Sequence, residues 1–397
     1  MEKLYYKDTY MKETPCTVVD VRKKENTTEV LTDCTIFYPE CGGQPGDRGY
    51  LGPYEVVDTR KAENGDSILI LGKSISSVEP IKVGETLTLK LDWPHRYKFM
   101  VMHTAQHLLS GLLFTLFNVG TVSVHLGDEY LTIETNQTEL EENVIDGLVE
   151  AANNAIMECH PVLYHEMSHK EAEALGLRRS IKVEGDVRIV EIQEVDRIAC
   201  GGVHVAKTSE IRLIYCIGHE NIRGHVRLYF KCGKEALSYA LKSLKLQEDL
   251  CAQLTCASAE VLPKVANLTN SLNQLTHEKK ELDKIVSGYQ IDKNLKEDIA
   301  TFIVDGDCDL QGFQHASNNY ENLAMCVIKV EKDRSLWVIA MKGKYEKKDF
   351  NELRKTLLPT IGAKGGGKAP LYQGAASTTD KEELNAFLKE FVKFVQN

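Results

Sequence analysis

The chain has 397 residues and a formal net charge of −10, from 48 Lys and Arg against 58 Asp and Glu. With 43% hydrophobic and 27% charged residues it has the balance of a globular protein, which excludes a disordered chain. At about 150 residues per domain the length predicts two or three domains, and the acidic total excludes a surface that coats DNA or other nucleic acid non-specifically, while leaving room for a local RNA site. No apolar run reaches the roughly 18 residues of a membrane span. The segment from Met1 to Cys16 has no apolar signal core, so a cytoplasmic protein with no membrane partner is expected. In a reducing compartment the eleven cysteines are expected as thiols, any special ones being metal ligands or nucleophiles.

Up to Asp92 short apolar runs alternate with turn residues, as in CTVVDV, SILILG and ETLTLKLDW. Period-two patterning with β-branched residues predicts a small N-terminal β-barrel or sandwich over 1–92. Pro39 to Gly52, with five glycines and two prolines, reads as a long structured loop. From His95 the period lengthens. Met100, Ala105, Leu108, Leu109, Leu112 and Leu113 predict a long buried helix ending near Asn118-Val119-Gly120. A second helix is expected over Glu139 to Cys159 and a strand over Val162 to His165. Ser168 with Glu171 reads as a capping box opening a short helix. Strands are expected at Val187 to Ile192, Glu210 to Ile217 and Gly224 to Phe230, so 93–235 is an α+β domain.

Over 236–290 the pattern is helical throughout. Val261, Val265, Leu268, Leu272, Leu275 and Leu282 step by threes and fours, interrupted by Lys279, as in a coiled-coil seam. With Ser258 as N-cap and Pro263 in the early turns, this predicts a helical hairpin arm. In 291–397 the apolar strands Ile299 to Val304, Leu323 to Val330 and Leu336 to Met341 are expected to join helices at Lys348 to Leu358 and Lys381 to Val395 as a C-terminal α/β domain. Between Met341 and Pro370 eight Lys and Arg face three acids, a basic stretch in an acidic molecule.

His103 and His107 stand four residues apart on the long helix, so both imidazoles share a face and can reach one ion. Cys200-Gly-Gly-Val-His204 offers a thiolate and a third imidazole around two glycines. Three nitrogens and one sulfur suit a single Zn²⁺. A zinc-protease helix needs Glu directly after its first His; here that residue is Thr104, which argues against peptide hydrolysis.

Thr35-Ile-Phe-Tyr-Pro-Glu-Cys-Gly-Gly-Gln44, Asp92-Trp-Pro-His-Arg96 before His103-Thr-Ala-Gln-His107, and Cys200-Gly-Gly-Val-His204 together resemble the alanyl-tRNA editing family. That family comprises the editing domain of alanyl-tRNA synthetase and free-standing AlaX-type proteins. The Gly-Gly-Gly-Lys-Ala-Pro-Leu-Tyr run after Lys364 is similar to the synthetase tail domain, so the resemblance spans nearly the whole chain, in the order of a long AlaX protein. Two positions depart from the pattern. Cys41 stands where a small residue is usual, and Val203 where Thr is frequent. No Asp-His-His triplet supports a phosphoesterase, and the Lys364 to Lys368 run lacks the GxxxxGK[ST] spacing of a nucleotide phosphate loop.

The resemblance implies hydrolysis of the ester joining serine, or secondarily glycine, to tRNA-Ala. An apolar pocket rejects an added hydroxyl by only about 10²-fold, whereas a site that requires the hydroxyl leaves a buried polar group unpaired when alanine enters. Thr35 matches the hydroxyl-sensing position. Gly42, Gly43 and Gln44 would bring backbone N–H groups close to substrate. The bound zinc either organises the site and stabilises charge or activates water; the motifs leave both open. Arg96, Arg223 and Arg227 are candidate phosphate contacts near the CCA end. Lys364, Gly365, Gly366, Gly367 and Lys368 are candidates to follow RNA backbone, with Tyr372 to stack. A homodimer through the arm or the C-terminal domain is also expected. Two rival readings are a deacylase for another mischarged tRNA, such as Ser-tRNA-Thr, and a non-catalytic tRNA-binding protein whose zinc is structural.

Overall fold

In the computed structural model, which describes residues 1–25, 27–72, 80–181, 185–305 and 308–397, the alternating segments before Asp92 close into a six-stranded barrel. Its strand order is Glu13–Lys23, Thr28–Thr32, Ser67–Leu71, Tyr54–Lys61, Gly49–Leu51 and Thr86–Leu91. The inward residues of the alternation, among them Val18, Val30, Leu51, Val56, Leu69 and Leu89, are buried as its core. The segment expected to be loop from Pro39 to Gly52 therefore contributes one short strand, Gly49–Leu51, which pairs on both edges. Outside the barrel, Glu2–Lys3 pairs in parallel with Cys34–Thr35.

The described chain divides into two compact units, Met1–Asp249 and Leu250–Asn397, an α+β protein in which each unit has its own sheets and core. In the first, helix Trp93–Phe117 is capped by the Asp92 carboxylate, which accepts the His95 N–H, and starts with Pro94 where no N–H is needed. Asn118 ends it in the left-handed conformation at φ 53°. This helix is long and apolar enough to span a membrane, but most of it is buried in the protein. Leu108, Leu109 and Leu113 share one core with Leu131, Ile133, Leu228 and Phe230 of a four-stranded antiparallel sheet. That sheet runs Ile214–Ile222, His225–Cys232, Leu131–Thr135, Thr121–Leu126. Its last two strands were not anticipated from sequence. Helix Glu142–Glu158 packs into the same core through Ile145, Leu148 and Ala152. A smaller antiparallel sheet, Val162–Ser168, Asp186–Ile192 and Asp196–Ala199, carries the expected capping box of Ser168 and Glu171 at its edge. The expected strand from Glu210 begins later, because Thr208–Ile211 forms a 3-10 turn.

Helix Gly233–Leu254 leads out of the sheet. In the second unit helix Val261–Asn294 contains the seam read from sequence; Val261 is half-buried and its other members stand exposed, from 44% at Val265 to 64% at Leu272. Ser258 is not the N-cap. It lies inside the 3-10 turn Ser258–Glu260, where Ala257 precedes the turn and donates its N–H to Glu260. The C-terminal sheet is six-stranded, ordered Leu295–Lys296, Ile299–Val304, Leu323–Val330, Ser335–Lys342, Leu371–Ala376, Lys364–Lys368. Only Ile299–Val304 and Leu323–Val330 run parallel among its pairs. Alternation sends Cys326, Ile328, Trp337 and Ile339 to the face covered by Lys381–Gln396. Met325, Val327, Val338 and Ala340 go to the face covered by Phe313 of helix Leu310–Ala316. The glycine run Gly365–Gly367 lies in the edge strand Lys364–Lys368.

Candidate metal centre

Helical spacing places His103 and His107 on one face, and both are nearly fully buried. Strand Asp196–Ala199 delivers Cys200 beside them, and the following turn returns His204, fully buried, to the same point. One donor atom from each of the four residues lies within 4.8 Å of every other. The three imidazole centroids are 4.3, 4.5 and 4.9 Å apart. Cys200 Sγ is 3.5 Å from Nε2 of both His103 and His204. A tetrahedron built from ordinary Zn–S and Zn–N bond lengths has an S···N edge of about 3.6 Å. These two spacings are therefore those of a coordination shell.

The other ring nitrogens are already committed. His103 Nδ1 donates to Gln44 Oε1 at 2.8 Å, which leaves its Nε2 lone pair free. His204 Nδ1 meets Thr104 Oγ1 at 3.3 Å, and that hydroxyl donates to the Met100 carbonyl. Thr104, where a protease would have its base, therefore orients a candidate ligand. His107 Nδ1 is buried with no hydrogen-bond partner among the described residues. Burial, aided by the Arg188 charge, lowers His103 to about 3 and holds His107 and His204 well below the ordinary histidine value. All three are neutral, the form that binds metal. Burial pushes the Cys200 thiol up to about 11, opposed by the Gly202 N–H, which lies 3.3 Å from the sulfur. The donor set fits Zn²⁺, and ligation would supply what the thiol lacks for ionisation.

Cys41-Gly42-Gly43-Gln44 is a tight turn closed by backbone hydrogen bonds in both directions between Cys41 and Gln44. Gly42 at φ 61° and Gly43 at φ 85° supply the positive values that such a two-residue turn demands. The turn aims the fully buried Gln44 at the four candidate donor residues, where Oε1 also accepts the Val203 N–H at 3.3 Å. Gln44 Nε2 is left as a buried donor without a partner. Thr35 is buried at the end of its short strand, its hydroxyl oxygen accepting the Phe37 N–H at 3.0 Å.

The candidate RNA contacts fall in both units. Arg96 is not a phosphate contact. It is fully buried, its guanidinium bound to the Asp47 carboxylate and to the carbonyls of Thr9 and Ile36. Asp47 also accepts the Tyr38 N–H, so the pair joins the glycine loop to the long helix. Arg223 is exposed at φ 53° in a turn, and Arg227 pairs with Glu134 at 3.0 Å on the outer face of the four-stranded sheet. Lys364 and Lys368 are exposed on the edge strand. A side chain at Gly365 or Gly367 would fall 2.3 Å from a neighbouring strand carbonyl, whereas Gly366 faces open space. Tyr372 has one ring face stacked on Phe350 at 3.7 Å.

Three contributors were invisible in the sequence. Arg188 donates to the carbonyls of Cys200 and Gly202 at 2.8 and 2.9 Å. Tyr6 donates to Gly201 O at 2.9 Å, and Tyr164 to His204 O at 3.3 Å. All eleven cysteines are free thiols.

Residues 187–229 match the family model described as the threonyl and alanyl tRNA synthetase second additional domain. The alanyl-tRNA editing protein AlaX-L of Pyrococcus horikoshii is 30% identical over the full length of both chains. Alanyl-tRNA editing protein Aarsd1 of Danio rerio is 26% identical, covering 93% of this chain and 90% of its own. Alanyl-tRNA editing protein AlaX-M of Methanosarcina barkeri is 33% identical over 58% of this chain and 98% of its own. Among solved structures, the C-Ala domain of Aquifex aeolicus alanyl-tRNA synthetase aligns with 25% of this chain and 91% of its own, with 12% identity and a TM-score of 0.22.

Proposed function

Because the chain belongs to the alanyl-tRNA editing proteins, we propose that it is a free-standing aminoacyl-tRNA deacylase that clears mischarged tRNA-Ala of serine, and secondarily of glycine, in the cytoplasm. The observation that carries the reading is the convergence of four metal-donor atoms within 4.8 Å beside the buried Gln44. His103, His107, Cys200 and His204 would hold one zinc ion. When bound there, the ion supplies a fixed positive charge that favours negative charge developing on the ester.

The protein's own groups set the rest. Gln44 Oε1 fixes the His103 ring, while its buried, unpartnered Nε2 is assigned as a donor to a substrate oxygen. Gly42 and Gly43 leave the turn bare of side chains, so backbone can approach the terminal ribose. Thr35 is assigned to the serine hydroxyl. Alanine offers it no partner, and that loss is the physical basis of sparing correctly charged tRNA. Lys364 to Lys368 and Tyr372 are assigned to the body of the tRNA, Arg223 and Arg227 to the region near its 3′ end. Gly233–Leu254 and Val261–Asn294 are assigned as the arm. The exposed Leu268, Leu272 and Leu275 are the face by which two copies associate; Leu272→Glu then lowers the mass found by sedimentation, and an unchanged mass removes this assignment.

The test is release of amino acid from Ser-tRNA-Ala, Gly-tRNA-Ala, Ala-tRNA-Ala and Ser-tRNA-Thr, with and without chelator. Expected are serine release from tRNA-Ala, loss with chelator, and recovery with zinc. Cys200→Ala and His107→Ala should each lower both zinc content and rate. Binding of tRNA-Ala without turnover by the zinc-loaded protein would establish the non-catalytic alternative, and equal release from Ser-tRNA-Thr the broader deacylase.

A further inference from the structure

The metal-ligating turn has an unusual support. Among the carbonyls of Cys200, Gly201, Gly202 and His204, each accepts a hydrogen bond from one of three side chains: Arg188, Tyr6 or Tyr164. The three form one stack. The Arg188 guanidinium carbon lies 4.7 Å from the Tyr6 ring centroid and 4.3 Å from that of Tyr164. A planar cation held over aromatic faces gains both attraction and a fixed orientation. The backbone adds a further tie, since the Arg188 carbonyl accepts the Cys200 N–H at 3.0 Å. Arg188 thereby holds the peptides on both sides of the sulfur-bearing residue. Among the described residues no carboxylate pairs with this guanidinium, and its Nη2 is buried without a partner. The half-buried guanidinium is thus held by carbonyl oxygens and aromatic faces and by no counter-ion among the described residues.

The stack also joins distant parts of the fold. Tyr6 comes from the helical turn Leu4–Lys7, Tyr164 from strand Val162–Ser168, and Arg188 from Asp186–Ile192. Tyr6 thus reaches the Cys200–His204 turn from the N-terminal segment, and Tyr164 and Arg188 from two paired strands of one sheet, while helix Trp93–Phe117 presents His103 and His107. Ligands are usually held by partners one bond further out, and changing such partners costs about 10–100-fold in metal affinity.

We propose that Arg188, clamped between Tyr6 and Tyr164, is a positioning residue that sets the geometry of the Cys200 and His204 ligands. The inference rests on the metal-site reading above and adds to it which groups fix that site.

The experiment titrates Co²⁺ into the metal-free full-length chain and records the thiolate-to-cobalt charge-transfer band and the visible d–d envelope. Parallel readings are urea unfolding without metal and serine release from Ser-tRNA-Ala. In Arg188→Met the cobalt Kd is expected to weaken by about 10–100-fold, with a changed d–d envelope. Tyr6→Phe keeps the ring on the guanidinium but loses the bond to Gly201, so a smaller weakening is expected. Arg188→Lys keeps the charge without the planar fork and should resemble Met more than wild type. Should Arg188→Met fail to fold, Arg188→Lys and Tyr6→Phe carry the comparison. A wild-type cobalt spectrum reproduced in band and affinity by these variants overturns the positioning role and leaves the deacylase reading standing. A wild-type protein that shows no thiolate–cobalt band overturns both the metal site and this role.

Discussion

Gly202 lies against His103 so closely that a Cβ built at position 202 would fall 2.2 Å from His103 Cε1 and 2.4 Å from Nδ1. The conformation of Gly202 is one any residue could adopt, so the constraint is the neighbouring ring alone. Gly202→Ala is therefore expected to push His103 off Gln44 and lower zinc affinity and serine release by at least about tenfold. Gly201→Ala, whose Cβ would sit 3.4 Å from the Tyr6 hydroxyl, should stay close to wild type. Isothermal titration with zinc on the two variants checks the contrast; equal affinities would contradict it.

The buried imidazoles are expected to make the metal-free protein acid-labile. An unfolded chain takes up histidine protons below about pH 6.5, while folded His103 stays neutral down to about 3 and His107 and His204 are held well below the ordinary value. In that window the unfolded state binds more protons, so their contribution to stability is present above pH 6.5 and is lost as the pH falls. The loss approaches three protons, about 4 kcal/mol per pH unit at its steepest. Urea unfolding of the metal-free chain from pH 7.5 to 5 measures it, and a flat profile would contradict the burial of neutral rings.

Arg96 and Asp47 form a buried pair between helix and glycine loop. Arg96→Met strands a carboxylate that also holds the Tyr38 N–H, and is expected to cost about 3–5 kcal/mol. Adding Asp47→Asn should recover part of it. Urea unfolding of the single and double variants tests this coupling, which vanishes if the two costs simply add.

The edge-strand lysines carry a prediction of a different kind. If Lys364 and Lys368 meet phosphates, the double change to Gln weakens tRNA-Ala binding and makes the slope of log K against log salt shallower by up to about 2. Filter binding across a salt series reads both, and an unchanged slope removes them from the interface.

The two candidate donor pairs that the fold brings together were legible in the chain because each is local: four residues along a helix, and four across a glycine turn. The barrel was legible through its alternation, and the C-terminal strands through their apolar runs. What escaped depends on partners far away in sequence. Arg96 read as a surface cation because nothing near it announces Asp47, 49 residues upstream. Arg188 sits between Val187 and Ile189, where alternation sends a charge to solvent, and its true neighbours are two tyrosines on other elements. The Lys364–Lys368 strand was hidden by glycines that normally break strands. Here they are needed because the adjoining strand and Trp337 approach too closely for side chains at Gly365.

Tyr6 and Gly201 meet across 195 positions of sequence, as do Tyr10 and Glu210 across 200. Contacts of that span cannot form early, since closing so large a loop precedes any reward for it. Completion of the cysteine-bearing turn is thus expected to be among the last events of folding. Until then a scavenging metal ion would find only the helical histidine pair, a weak and incomplete grip.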